Sequence, residues 1–145
     1  MIKTPKSWKY NKIQRLPLST TKACKQNSVK FGKYGIQSDG TKWVSAEQIE
    51  ICRQVLRREI NRKAPIWIRV FPHKPIFSKD IGQRMGKGKG ERIGWVCAVR
   101  PGHILFEIGP QVSPALLQTI LRALKFRLGL PLRLVESMNP IASKY

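Results

Sequence analysis

The sequence predicts an α+β domain in which two helices pack on a small, mostly antiparallel or mixed sheet, with an extended basic N-terminal arm and a protruding Gly/Lys loop. Three observations predict this class. Two segments carry apolar residues at helical spacing, the strand-like runs do not alternate regularly with them, and 145 residues leave room for one domain. Because 41% of the residues are hydrophobic, the chain can build a packed core.

The net charge predicts a polyanionic partner. The chain has 28 Lys and Arg against 8 Asp and Glu, a formal net charge of +20. A small body with this much like charge repels itself, so we expect nucleic acid as partner first and an anionic membrane surface second. No run approaches the roughly 18 apolar residues of a membrane span, and neither helix has the strongly amphipathic basic pattern of a peripheral membrane protein. Three cysteines without a CxxC pair favour a reducing compartment.

Residues 1–33 are predicted to form a basic arm. They contain nine Lys or Arg and no acid, with Trp8, Tyr10 and Phe31 among them. Basic residues interleaved with aromatic ones are typical of segments that follow a nucleic-acid backbone and stack on bases. On composition alone, a mitochondrial transit peptide is an equal alternative.

The first helix is predicted to begin after Ser45. Ser45 and Gln48 form a capping-box pattern, and helical spacing continues toward Pro65, which ends the helix. The apolar stripe comprises Ala46, Ile49, Cys52, Leu56 and Ile60. Four arginines lie toward the other side and are as compatible with a solvated charged face as with RNA contact: Arg53, Arg57, Arg58 and Arg62.

The strands are predicted from short apolar runs. Residues 66–71 have two largely apolar faces, so we expect a central strand there, and residues 77–81 form at most a short extended piece after two prolines. Residues 93–99 and 104–108 are predicted to pair as a hairpin, because Arg100-Pro101-Gly102-His103 suits a type II turn.

The second helix is predicted to begin at Ser113-Pro114 and to end at Gly129. It buries Leu117, Ile120, Leu121, Leu124 and Leu128. A final strand over residues 132–136 closes the core.

Residues 82–92 cannot belong to the core, since they hold four glycines and four basic residues. Alternating Gly and Lys lets the backbone approach a phosphate chain closely. The nucleotide-binding pattern GxxxxGK[ST] does not fit, because Lys87 stands where its second Gly is required. A mobile, solvent-exposed turn is the remaining alternative.

No sequence pattern indicates a catalytic residue, a metal site or a cofactor. His73 and His103 lack neighbours that would mark a nucleophile or a metal site. Four acids could meet only through folding: Asp80, Glu91, Glu107 and Glu136. A small basic RNA-processing enzyme with a two-metal site is therefore the alternative to a non-catalytic RNA-binding protein.

Four stretches occur in the order and spacing of one known family. They are residues 31–35 (FGKYG), 45–50 (SAEQIE), 66–76 (IWIRVFPHKPI) and 84–90 (RMGKGKG). With them, the chain resembles bacterial-type large-subunit ribosomal protein sixteen, the universal L-sixteen family, over nearly its whole length.

The resemblance implies a structural, non-enzymatic component of the large ribosomal subunit that acts in translation. Its expected partners are large-subunit rRNA, 5S rRNA, tRNA and neighbouring ribosomal proteins, with no homo-oligomer. The resemblance implies that the loop of Arg84, Met85, Gly86, Lys87, Gly88, Lys89 and Gly90 points toward the tRNA-binding cleft near the peptidyl-transferase centre. We expect the rRNA-binding residues to be Lys3, Lys6, Lys9, Lys12, Arg15, Lys30, Lys33, Arg53, Arg57, Arg69 and Lys74.

The expected organisation is a basic arm (1–33), a single α+β rRNA-binding domain (34–138) that contains the 82–92 loop, and a C-terminal tail (139–145). Pro5-Lys6 resembles the mature start of the family, which disfavours a transit peptide. A divergent, Lys-rich and Ile-rich member without a presequence resembles one encoded in an organelle. We therefore expect a mitochondrial ribosome, with the plastid or the bacterial cytoplasm as alternatives.

Overall fold

The structure, a computed structural model, describes residues 4–10, 12–14, 17–86 and 88–137. Lys3, Arg15, Lys87 and the tail over 139–145 lie outside the described residues. In chain order the elements are β1 (Tyr34–Ser38), β2 (Lys42–Ser45), α1 (Ala46–Ile60), β3 (Ile66–Ile68), β4 (Lys74–Ser78), β5 (Glu91–Val99), β6 (Ile104–Ile108), α2 (Pro114–Leu128) and β7 (Leu132–Glu136). The predicted α+β class is confirmed.

The strands form two antiparallel sheets rather than the single sheet predicted. The first has the order β3-β6-β1-β7 and the second the order β2-β5-β4. β1 and β6, in the middle of the first sheet, are buried along their whole length. Helix α1 contacts strands of both sheets, whereas α2 contacts α1 and β7. Across the described ranges, no helix is both long and apolar enough to cross a membrane.

Helix α1 confirms the predicted capping box. The Ser45 hydroxyl accepts a hydrogen bond from the Gln48 N–H at 3.1 Å, and the Gln48 side chain accepts one from the Ser45 N–H at 3.0 Å. The predicted end at Pro65 is wrong, because the helix stops at Ile60. Asn61 adopts a left-handed conformation with φ of 50°, which turns the chain out of the helix before the proline.

Helix α2 confirms both predicted ends, with Ser113 as N-cap, Pro114 in the first turn and Gly129 as C-cap. Its C-terminus has an additional partner, because the Lys42 ammonium donates to the Leu128 carbonyl at 2.8 Å. A cation at this position interacts favourably with the negative end of the helix dipole. The two helices share one core, in which Leu56 of α1 lies with Ile120 and Leu124 of α2, all three fully buried.

The predicted hairpin is wrong, although its turn forms. Gly102 has φ of 88° and the His103 N–H donates to the Arg100 carbonyl at 3.1 Å, as a type II turn requires. However, β5 pairs with β2 and β4, while β6 pairs with β1 and β3. The turn therefore carries the chain from one sheet to the other. The partners that displace the hairpin are β1 and β2, two strands that the sequence analysis did not predict.

Two further strand predictions are wrong in position. The run over residues 66–71 forms only β3, a strand of three half-buried residues, which lies at the edge of its sheet because β6 is its one neighbour there. The extended piece expected over 77–81 is instead β4, which begins at Lys74 and includes Pro75. Since β4 is an edge strand, the missing N–H of Pro75 is tolerated there.

Candidate nucleic-acid interface

A buried carboxylate organises the end of the basic arm. Glu107 lies in the middle of β6 and is fully buried. Its carboxylate accepts hydrogen bonds from the backbone N–H groups of Lys30 (3.2 Å), Phe31 (2.7 Å) and Gly32 (2.9 Å). It also forms an ion pair with the Arg69 guanidinium, whose side chain is only 10% exposed. These partners compensate the cost of burying the charge and hold three backbone positions in place.

The close approach of the arm to β6 depends on Gly32. A Cβ atom at this position would lie 2.5 Å from the Ile108 carbonyl oxygen, which is backbone and cannot give way. The Lys33 N–H continues the contact by donating to the same carbonyl at 3.0 Å. Gly32 therefore permits the geometry in which its own N–H reaches Glu107.

The contacts of Glu107 with residues 30–32 and Arg69, which we call the anchor, also position an exposed aromatic side chain. Phe31 is 51% exposed. Its ring stacks on the Trp67 ring at a centroid distance of 6.3 Å and an interplanar angle of 24°. The Arg69 guanidinium carbon lies 5.1 Å from the Phe31 ring centroid, within cation–π range. A large exposed ring thus sits on a fixed backbone beside a fixed cation.

Phe31 and Trp67 line a groove of about 1000 Å³, the aromatic groove, together with five basic side chains. These are Arg53, Arg57, Arg62, Lys63 and Arg69. Arg53 is paired with Glu50 at 2.6 Å, and the hydrogen bonding to this carboxylate raises the pKa of Arg53. Within the described ranges, Arg57, Arg62 and Lys63 are exposed and form no ion pair. Their charge is available to an external anion.

The first part of the arm lies against the base of the 82–92 loop. The Lys12 ammonium donates to the Lys89 carbonyl at 2.6 Å, and the Lys89 ammonium donates to the Ile13 carbonyl. The Lys89 ammonium also lies 4.5 Å from the Phe77 ring centroid. Nearer the N-terminus, Trp8 packs edge-on against Trp95 of β5 with ring centroids 4.9 Å apart. Arm and loop are therefore in direct contact.

The tip of the loop is fully exposed. Arg84 and Met85 are exposed there, and Ile81, the residue before the loop, is exposed as well. The Lys79 ammonium donates to the Gly86 carbonyl at 2.6 Å and closes the lower part of the loop.

The predicted rRNA-binding residues fall into several groups. Exposed positions are Lys6, Lys9, Lys12, Lys30, Lys33 and Arg57, and half-buried ones are Arg53, Arg69 and Lys74. The structure brings Arg53, Arg57 and Arg69 together in the aromatic groove. Lys74 lies apart from them, with its ammonium 4.8 Å from the Trp43 ring, in a smaller cavity beside the arm.

Lys63 and Trp67 line the groove although the sequence did not indicate them as site residues, and Arg62 was considered for RNA contact but not included among the predicted rRNA-binding residues. Arg62 lies in the turn that ends α1, Lys63 follows it, and Trp67 was assigned to a central strand. The available signal was the basic pair immediately before an aromatic edge strand.

The groups considered for catalysis do not assemble into a metal site. In the described part of the chain, no three His, Cys, Asp or Glu side chains lie close enough to hold a metal ion. Glu107 is occupied by the arm and Arg69. His103 lies in the turn after β5, where burial and then the charge of Arg100 lower its pKa.

The chain is similar to proteins of one family along almost its entire length. The profile of the family described as "Ribosomal protein L16p/L10e" matches residues 5–135. "Large ribosomal subunit protein uL16" of Kosmotoga olearia is 51% identical over 105 residues, which cover 72% of this chain and 74% of that protein. The protein of the same name from Protochlamydia amoebophila is 42% identical, with 94% of this chain and 97% of that protein covered. "Large ribosomal subunit protein uL16c" of Gracilaria tenuistipitata is 39% identical, with 91% and 96% covered.

Proposed function

The chain belongs to the ribosomal protein L16p/L10e family, and from this membership we infer that it is a structural, non-enzymatic constituent of the large ribosomal subunit. The alternative of an RNA-processing enzyme has no support in the family membership.

We propose that the chain binds large-subunit rRNA through the arm and the aromatic groove. The observation that carries this proposal is the groove itself, where Arg57, Arg62 and Lys63 present charge beside an exposed Phe31. The proposed set of phosphate contacts keeps the predicted residues, including Lys3 and Arg15 outside the described ranges. Residues 1–33 act as the arm, 34–138 as the rRNA-binding domain and 139–145 as a tail. The family membership supports neighbouring ribosomal proteins as further partners, and we also propose 5S rRNA as a partner.

We propose that the 82–92 loop supports the tRNA-binding cleft near the peptidyl-transferase centre. Its exposed tip and its contacts with the arm support this role, since an arm held by rRNA would fix the base of the loop. Arg84 serves as a bidentate or stacking contact, whereas Lys87 and Lys89 supply charge toward a phosphate backbone.

Binding of the free protein to large-subunit rRNA tests the first proposal. With on the order of 6–10 phosphate contacts, raising the salt concentration from about 50 to 200 mM weakens the affinity by roughly 10³–10⁵. An affinity that barely changes with salt would contradict it.

Ribosomes that carry loop variants test the second proposal. We expect Arg84→Lys and the double variant Lys87→Ala/Lys89→Ala to bind aminoacyl-tRNA less well than the wild type. If both variants bind tRNA and translate like the wild type, the loop is a mobile turn without this role.

We propose the mitochondrial ribosome as the location, on the basis of the Lys-rich and Ile-rich sequence. Immunoblots of purified mitochondria, plastids and cytosol from the source cells distinguish this location from the plastid. Recovery in another fraction would refute the mitochondrial assignment without affecting the ribosomal one.

A further inference from the structure

We propose that the aromatic groove binds an unpaired RNA base by stacking on Phe31, while the unpaired cations beside it hold the flanking phosphates. This inference rests on the proposed function and deepens it, because it assigns a base as well as a backbone to this surface. The juxtaposition that carries it is an exposed Phe31 ring stacked on Trp67, with the Arg69 guanidinium beside it.

The backbone that carries the Phe31 ring is held by hydrogen bonds to a buried carboxylate. Glu107 fixes the Phe31 N–H and the N–H groups on both sides of it, at distances between 2.7 and 3.2 Å. The same carboxylate fixes Arg69, the cation beside the ring. Stacking surfaces that are rigid before binding lose less conformational entropy when the ligand arrives. A fully buried anion thus holds both parts of a binding surface in place.

The chemistry of the groove fits a single-stranded segment better than a duplex. Cations alone suffice for the phosphates of a double helix, whose base faces are covered by their stacked neighbours. An exposed aromatic ring gains binding energy only from a base whose face is free. Arg57, Arg62 and Lys63 line the same groove and complement the phosphates of such a segment.

Photocrosslinking tests this stacking contact directly. The purified full-length chain is mixed with a single-stranded RNA of about 12 nucleotides that carries one 5-iodouridine, a base that couples to stacked aromatic rings on irradiation. We expect mass spectrometry to locate the crosslink on Phe31 or Trp67. Crosslinks found only on arm residues before Lys30 or on the 82–92 loop, or none at all, would overturn the proposal.

Affinity measurements on variants provide the second test. Base stacking on an aromatic side chain is worth roughly a 5- to 150-fold change in affinity, so we expect Phe31→Leu to weaken single-stranded RNA binding by a factor in this range. Phe31→Tyr, which keeps the ring, should bind as the wild type does. Phe126→Leu is the matched control, because Phe126 is 88% exposed on α2 and outside the groove.

The same variants bound to a fully paired RNA duplex separate stacking from charge. We expect Phe31→Leu to leave duplex affinity unchanged. Equal losses for duplex and single strand, or equal losses in Phe31→Leu and Phe126→Leu, would refute base stacking. No loss at all would favour another occupant of the groove, such as an acidic protein segment, and would also refute it. Incorporation of Phe31→Leu into large subunits tests the ribosomal role separately, since the variant keeps the basic residues. If the variant is incorporated but shows no selective loss of single-stranded RNA binding, the stacking proposal fails and the ribosomal role stands.

Discussion

Replacing Glu107 with glutamine perturbs the anchor between the arm and β6 with almost no change in shape. The amide can accept only part of the hydrogen bonds that the carboxylate now receives from the N–H groups of residues 30–32 and from Arg69. Arg69 stays 10% exposed and loses its counter-charge. The variant therefore leaves a cation in a largely buried position without an anion.

The expected cost follows from this burial. Removing one partner of a buried ion pair destabilises a protein by about 3–5 kcal/mol. Because a domain of this size has a total stability of about 5–15 kcal/mol, the change is a large fraction of it. The surface pair of Asp39 and Arg133, with side chains 43% and 51% exposed, is the matched control. Asp39→Asn should cost about 0–1 kcal/mol, since water screens that pair.

Urea denaturation of both variants measures these free energies of unfolding. The double variant Glu107→Gln/Arg69→Met should recover part of the loss, because it removes the uncompensated cation as well. Two results would show that the anchor does not depend on this charge. One is a cost of less than about 1 kcal/mol for Glu107→Gln. The other is a double variant that loses more free energy of unfolding than Glu107→Gln and Arg69→Met lose in sum.

Three further predictions concern a glycine, the cysteines and a histidine. Gly32→Ala should destabilise the chain by about 1–3 kcal/mol through collision with the β6 backbone, whereas Gly94→Ala, which meets no atom within 4 Å, should not; thermal melts compare the two. Iodoacetamide at neutral pH should label Cys24 only, because burial raises the pKa of the Cys52 thiol to about 11 and also raises that of Cys97; labelling of either in the native state would contradict this. Burial, and then the charge of Arg100, lower the pKa of His103 below its usual 6.5, so the unfolded chain binds a proton at this site more readily than the fold does, and the free energy of unfolding falls as the pH drops below 6.5. The midpoint of thermal unfolding should therefore drop less on acidification in His103→Gln, and an unchanged drop would refute this role.

The elements predicted correctly are those that local sequence determines. Ser45 with Gln48, and Ser113 with Gly129, define both helix starts and one helix end through contacts within a few residues. Sheet pairing could not be predicted in this way, because β1 pairs with strands about 70 and 100 residues later in the chain. A favourable turn at residues 100–103 predicted a hairpin that long-range pairing overrides.

The candidate site was predictable in composition but not in arrangement. Arg53 and Arg57 of α1, and Phe31 of the arm, were identified from charge and spacing. Glu107 was recognised only as an acid without a local role, since its partners lie 38 residues or more away in sequence. An isolated glutamate inside the apolar run Ile104–Ile108 was the one signal of a buried anchor.

Sedimentation of a native lysate in a low-salt gradient, in which phosphate contacts persist, tests the ribosomal assignment most directly. Quantitative mass spectrometry of each fraction measures the amount of this chain relative to other large-subunit proteins. We expect about one copy per large subunit, released only when the rRNA is digested. Recovery mainly in the light fractions, or on RNA other than that of the ribosome, would contradict the assignment.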